Sequence, residues 1–165
     1  MVDDGLTIRP TRPEDIASVA SIYLSQARHH TALDPVEYRV PDRDAVLARF
    51  SAELEAAEEE DLHIVAVLDG AVVGQLDAIG GRRRSPGSMR VQRTSASIGI
   101  AVLDGWRGRG IGTALMAAAE DWARGRGLDV LELDVATPNE GGRRLYERLG
   151  YIRVAESMVK PLREG

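Results

Sequence analysis

Three glycines at alternate positions, Gly108, Gly110 and Gly112, stand where an apolar run from Thr94 to Leu103 gives way to a helical pattern. Residues without a Cβ let the main chain turn sharply and let other groups approach it closely. The pattern downstream is regular: Ile111, Leu115, Ala119 and Trp122 share one face of a helix predicted to last to about Arg126, with Gly125 and Gly127 as its stop signal. Asp129 to Val135 then reads as a strand. Strand, helix and strand in succession predict two parallel strands joined by a right-handed crossover.

Upstream, Leu6 to Arg9 reads as a short strand, and Thr11, Pro13 and Glu14 form the pattern of a capping box that opens a helix. Ile16, Val19, Ala20, Tyr23, Leu24 and Ala27 line its apolar face, and the series ends near Arg28. His29 to Pro41 has no clean period and reads as a loop or a broken short helix. A second helix is predicted from about Asp42 to Glu60, burying Val46, Phe50, Leu54 and Ala57. The acids Glu58 to Asp61 oppose the helix dipole at its end, so fraying is expected there. Leu62 to Leu68 and Ala71 to Ile79 flank Asp69-Gly70, the dipeptide of a two-residue type I′ hairpin. Gly80 to Arg93 carries five arginines (Arg82, Arg83, Arg84, Arg90, Arg93) and no acid, and reads as a long, mobile, solvated hairpin loop. Near the other end, Asn139 caps a short helix ending at Gly150, and Tyr151 to Val159 reads as a last strand. The order predicts an α/β (α+β) domain over residues 1–165: a mixed, mostly antiparallel sheet with one parallel β-α-β unit and helices on both faces.

Composition narrows the chemistry. The chain has no cysteine, which excludes a disulfide scaffold, a cysteine-ligated metal and a protein thiol nucleophile. Lys plus Arg number 21 against 26 Asp plus Glu, a net charge of −5, which argues against a general nucleic-acid binder. No apolar run approaches a membrane span and residues 1–10 lack a secretory signal, so a soluble cytoplasmic protein is expected.

The glycine turn is itself a binding device. The first N–H groups of a helix have no internal acceptor, and with the helix dipole they suit an anion such as a diphosphate. Arg107 and Arg109 add positive charge to the same turn. A Walker loop would need a lysine after Gly112, where Thr113 stands; a dinucleotide fingerprint would need a glycine or alanine where Leu115 or Thr113 falls. A nucleotide-binding α/β domain is therefore the least favoured reading.

The run Arg107-Gly108-Arg109-Gly110-Ile111-Gly112, after the strand Ile98-Gly99-Ile100-Ala101-Val102, resembles the acetyl-CoA loop of the GCN5-related N-acetyltransferase superfamily. Asn139 followed by Leu145-Tyr146-Glu147-Arg148-Leu149-Gly150-Tyr151 is similar to the superfamily's second signature, and the order of elements from Leu6 to Val159 resembles its fold. The resemblance implies central strands that splay apart at their C-terminal ends, with the pantetheine of acetyl-CoA along Ile100, Ala101 and Val102. It implies the diphosphate on Gly108, Gly110, Ile111, Gly112 and Thr113, and Asn139 and Tyr146 beside the pantetheine arm and the thioester.

Acyl transfer to an amine needs a neutral amine, a donor for the acyl oxygen, expected from a backbone N–H near Val102, and a proton for the leaving thiolate. Tyr146, with a reference pKa of about 10, suits the last task. The superfamily often carries a glutamate where Ser97 stands here, which leaves the general base unassigned and keeps a non-catalytic acyl-CoA sensor or assembly module as the alternative. Glu132 and Asp134 alternate onto one face of their strand and are candidates for drawing in a cationic amine, while His29, His30 and Tyr38 lie where the superfamily shapes its acceptor pocket. His63, inside an apolar strand, reads as a satisfied, partly buried residue. With three histidines and no paired-histidine motif, no metal is expected. The expected partners are acetyl-CoA and a small-molecule or peptide amine, without nucleic acid or membrane, and a homodimer is compatible with the pattern.

Overall fold

The computed structural model describes residues 5–83, 89 and 91–160, with Arg82 and Arg83 by backbone alone. Among these residues one sheet runs β1 (Thr7–Pro10), β2 (Leu62–Leu68), β3 (Ala71–Arg83), β4 (Thr94–Val102) and β5 (Val130–Glu132), in that spatial order. All neighbours are antiparallel except β4 and β5, which are parallel as the crossover predicts. Helices α1 (Ile16–Leu33) and α2 (Arg43–Glu55) cover one face and α3 (Ile111–Gly125) the other, with α4 (Glu140–Arg148) after β5 in the chain.

Each face has its own core. Ile64, Ala66, Leu76, Ala78, Ala96 and Ile98 pack beneath Ile111, Leu115, Met116 and Ala119 of α3. On the other side Ile16, Val19, Ala20 and Leu24 of α1 meet Val46, Phe50 and Val65. Full burial of side chains such as Leu76 and Leu115 contributes about 2 kcal/mol each, which fixes the strand faces. Ile22, outside the predicted stripe, is also buried, because α1 is sandwiched between the sheet and α2. The hairpin forms as expected: Asp69 and Gly70 have φ of 52° and 79°, and Leu68 faces Ala71.

Several boundaries differ from the sequence expectation. The box at Thr11 and Glu14 gives way to one a residue later: Asp15 accepts the Arg12 N–H at 2.8 Å and two bonds from the Arg9 guanidinium, at 2.6 and 2.8 Å. Thr11 instead extends the β1–β2 ladder, donating its N–H to the His63 carbonyl. Helix α1 runs through His29 and His30 to Leu33 and stops where Asp34, extended at φ −149°, precedes Pro35. Helix α2 starts as expected, with Asp42 accepting from the Ala45 N–H at 3.0 Å, and ends at Glu55, before the acidic run. Strand β3 passes Ile79 through a register shift and continues to Arg83, so the connection to β4 is shorter than expected and most of it lies outside the described residues.

The largest departures concern β5 and the last strand. Only Val130–Glu132 pairs, with Ser95, Ala96 and Ser97, before β4 and β5 part. No strand follows α4 among the described residues: the Tyr151 N–H bonds back to the Tyr146 carbonyl, and residues 152–160 are exposed. The expected strand from Tyr151 to Val159 has only a three-residue edge beside which to lie.

Candidate active site

Strand β4 runs on for five residues beyond Ser97, its last partner on the β5 side, to Val102. The N–H of Leu103 bonds to Val73 on β3, so by alternation Ala101 also turns its amide groups to β3, while Ile98, Ile100 and Val102 turn theirs to the open side. Ala101 therefore has no backbone group to offer there. Two of the outward carbonyls are met by side chains: Gln26 Nε2 donates to Ile100 at 2.9 Å, and Arg107 Nε donates to Val102 at 3.3 Å. The gap between the diverging strands is a cleft of about 120 Å³, lined by Ile98–Ile100, Gln26 and His30 of α1, Asp134, Asn139 and Tyr146. Val102, near which an oxyanion donor is expected, does not line it, whereas Ile98 and Ile100 do.

The glycine turn carries the chain from β4 into α3. Gly108 and Gly110 take φ of 76° and 80°, the left-handed region that a Cβ disfavours. Gly110 is the N-cap of α3 and supplies no side-chain acceptor, so the first N–H groups, from Ile111 to Thr113, have none within the helix; the ladder starts at Ala114, which bonds to Gly110 at 3.0 Å. Arg109 lies 4.6 Å from the Trp106 ring centroid, and Arg107 folds back onto β4, so one arginine braces the turn while the other flanks it. Gly112 lets α4 come close, since a Cβ there would lie 3.2 Å from Leu145 Cδ2. An uncapped, cationic helix start framed by left-handed glycines fits a diphosphate.

Tyr146, Asn139 and His30 are polar side chains that line the cleft. The hydroxyl of Tyr146 is pushed above its ordinary value of 10.0 by burial, which keeps it protonated and a donor at neutral pH. Its ring lies 6.0 Å from that of Tyr151, whose hydroxyl burial pushes up to about 12. Asn139 caps α4, accepting the Gly142 N–H on Oδ1 at 3.0 Å, and its Nδ2 lies 3.4 Å from His30 Nε2. The His30 ring lies 5.1 Å from that of Tyr38, tilted by 50°, and burial first, then His29 and Arg107, hold its imidazole below the ordinary 6.5.

The acceptor candidates separate. His30 and Asp134 line the cleft and Tyr38 lies behind the His30 ring without lining it, whereas His29 faces a second cavity of about 600 Å³ with Arg28, Arg43 and Arg107. Glu132 stays in the paired part of β5, where Ser95 Oγ approaches it at 3.5 Å, and Ser97 sits beside it in the ladder. His63 Nδ1 meets Asp77 at 2.7 Å, the satisfied pair expected of a partly buried histidine, though its Nε2 is buried without a partner. Gln26 is a cleft residue that the sequence reading does not single out. The available signal is its spacing, since a polar residue four before His30 lies on the same helix face. No group of three potential metal ligands occurs among the described residues, and none of their helices is long and apolar enough to cross a membrane.

Known proteins give this geometry its context. Residues 19–151 match the Acetyltransferase (GNAT) family. An uncharacterized N-acetyltransferase of Methanocaldococcus jannaschii is 48% identical over 46 residues, 28% of this chain and 20% of that protein. The aminoglycoside N(6')-acetyltransferase type 1 of Klebsiella aerogenes is 36% identical over 63 residues, 34% of this chain and 41% of that protein. The matched stretches thus span less than half the length of both relatives. The structure of yncA from Salmonella typhimurium with its cofactor acetyl-CoA superimposes with a TM-score of 0.67 at 27% identity, over 92% of this chain and 82% of that one.

Proposed function

Because the chain belongs to the GNAT acetyltransferase family and acetyl-CoA is its acyl donor, we propose that it acetylates a primary amine by direct attack within a ternary complex. The reading covers a single domain at residues 1–165 that works in the cytoplasm. One observation carries it: the unpaired flank of β4 runs straight into the uncapped start of α3, and Tyr146 faces the same opening.

The N–H groups of Ile111, Gly112 and Thr113 hold the diphosphate, with the positive end of the α3 dipole behind them. The outward N–H of Val102 pairs with an amide of the pantetheine arm as an added strand would. Ile98 and Ile100, which line the cleft, meet the negative charge that develops on the acyl oxygen; a single such donor is typically worth about 3 kcal/mol. Asn139 fixes the arm from the other side. Tyr146 hands its proton to the departing sulfur as the carbon–sulfur bond breaks. Asp134, exposed at the cleft mouth, draws in the cationic amine.

The relation to an aminoglycoside acetyltransferase supports a small-molecule acceptor. The test combines a melting curve with a thiol-release assay against an aminoglycoside, a polyamine, an amino acid and a peptide with a free N-terminus. Acetyl-CoA is expected to raise the melting temperature, and at least one amine to release thiol. Stabilisation without thiol release from any amine would favour the sensor reading that Ser97 leaves open; stabilisation by NADH or ATP but not by CoA would overturn both.

A further inference from the structure

The proposed reaction leaves one role unfilled. An amine at neutral pH is an ammonium ion and must lose a proton before it can attack, yet β4 offers only Ser97 where a carboxylate would serve, and Ser97 faces Glu132 in the ladder. The cleft supplies a basic group from α1 instead. We propose that His30 is the general base of this reaction, taking the proton of the incoming ammonium at Nε2 across the cleft from Tyr146.

The geometry selects both the atom and its protonation state. Asn139 Oδ1 is committed to the Gly142 N–H, so the amide cannot flip and Nδ2 must face His30. An amide nitrogen donates only, so the Nε2 beside it accepts on its lone pair, and the ring proton sits on Nδ1. Protonating Nε2 would set two N–H groups against each other. The long 3.4 Å separation marks a weak bond that an ammonium ion, a charged donor, displaces. The neighbouring groups favour the neutral ring: burial acts first, His29 one residue back and Arg107 from the glycine turn act in the same direction, Tyr38 packs against it, Gln26 carries no charge, and Tyr146 stays protonated. Among the described residues Asp134 is the one carboxylate lining the cleft, where it attracts the ammonium that His30 deprotonates.

The proton balance closes. One N–H bond of the ammonium breaks toward His30 Nε2, the carbon–nitrogen bond forms as the carbon–sulfur bond breaks, and Tyr146 protonates the sulfur. A second proton leaves the new amide nitrogen and restores Tyr146 through solvent, and His30 returns its own to solvent. The net products are amide, thiol and one proton. Cleft polarity is thus split between a group that burial makes a proton acceptor and one that burial makes a donor, an arrangement suited to moving protons in both directions at one pH.

This inference rests on the acetyltransferase reading, and the experiment separates the two failures. With the best amine of the panel, His30→Gln is expected to lower kcat by about 100-fold while KM for acetyl-CoA stays unchanged. It also removes the acidic limb of the wild-type profile, which falls below the ordinary imidazole value of 6.5. For an alkoxyamine acceptor, already neutral at the assay pH, the deficit is expected to shrink to a few-fold. An unchanged kcat and limb in an active enzyme would overturn the role of His30 and leave the acetyltransferase reading intact. Absence of both CoA stabilisation and thiol release in the wild type would instead remove that reading. Independently of turnover, the imidazole proton resonances are expected to show His30 titrating below the ordinary 6.5 and shifting when CoA is added. A His30 signal that titrates at or above 6.5 and ignores CoA would sink the inference.

Discussion

Burial, with no ion pair, keeps Tyr146 protonated at neutral pH, so if it is the acid proposed above, removing the hydroxyl should touch the chemistry and little else. Tyr146→Phe is expected to lower kcat by about 10² to 10⁴-fold and leave acetyl-CoA affinity nearly unchanged, as steady-state kinetics and calorimetry would show. Two other pairs govern stability. Asp15 is almost fully buried and bonded twice to Arg9, which holds its carboxyl below the ordinary range. Its contribution is present above the unfolded value of 3.8 and is lost as pH falls through the lower folded value. Asp15→Ala, which strands the half-buried Arg9, should cost about 3 kcal/mol in denaturant unfolding. His63 shifts the opposite way, raised by its bond to Asp77, so its contribution is complete below 6.5 and disappears as pH rises through the higher folded value. His63→Gln should flatten the stability curve in that alkaline window and nowhere else. At this scale Tyr146 and Asn139 are legible in the sequence because a signature of fixed spacing surrounds them. Gln26 is not, because its role depends on a carbonyl 74 residues away.

Among the elements, the segment from β4 into α3 is the most legible, since alternating glycines have few structural uses and two of the three adopt a left-handed conformation. Gly110→Ala places a Cβ at φ 80° on the N-cap, an expected loss of about 1–2 kcal/mol. The same change should weaken CoA binding, read by isothermal calorimetry, because the helix start proposed to hold the diphosphate must rotate to relieve the strain. Helix α1 is longer than its apolar period suggests. The period fades at Arg28, but a helix can continue without one while it is packed at its base, and the decisive signal is Pro35, which forces the residue before it out of the helical region. That extra turn matters, since it carries His30 to the cleft. The capping position slips by one residue for a similar reason: Thr11 and Glu14 fit the local rule, but Arg9 recruits Asp15 from across the turn. Local patterns locate the elements, and partners distant in the chain set their ends.

For the molecule as a whole, the sheet order and both cores follow from the alternation of buried residues, whereas the extent of pairing at the β5 edge does not. Asp129 to Val135 has the pattern of a full strand, yet only Val130–Glu132 pair with β4 as strand, because the chain parts from β4 after Glu132 although β4 itself continues to Val102. A ligand seated in that parting binds only the folded chain and should stabilise it by mass action. At about 100 times its dissociation constant, acetyl-CoA should add about 2.7 kcal/mol, or about 5–10 °C in melting temperature for a chain of this size. A scanning fluorimetry titration measures this directly. The side chains that meet the Ile100 and Val102 carbonyls have a further consequence. A bare run of main chain at the rim of a sheet is a template on which stray polypeptide can polymerise. By keeping those two oxygens engaged from within, Gln26 and Arg107 act as gatekeepers of the empty protein, denying a foreign backbone two of the three outward acceptors it would need while leaving the donors ready for the small guest proposed to bind there.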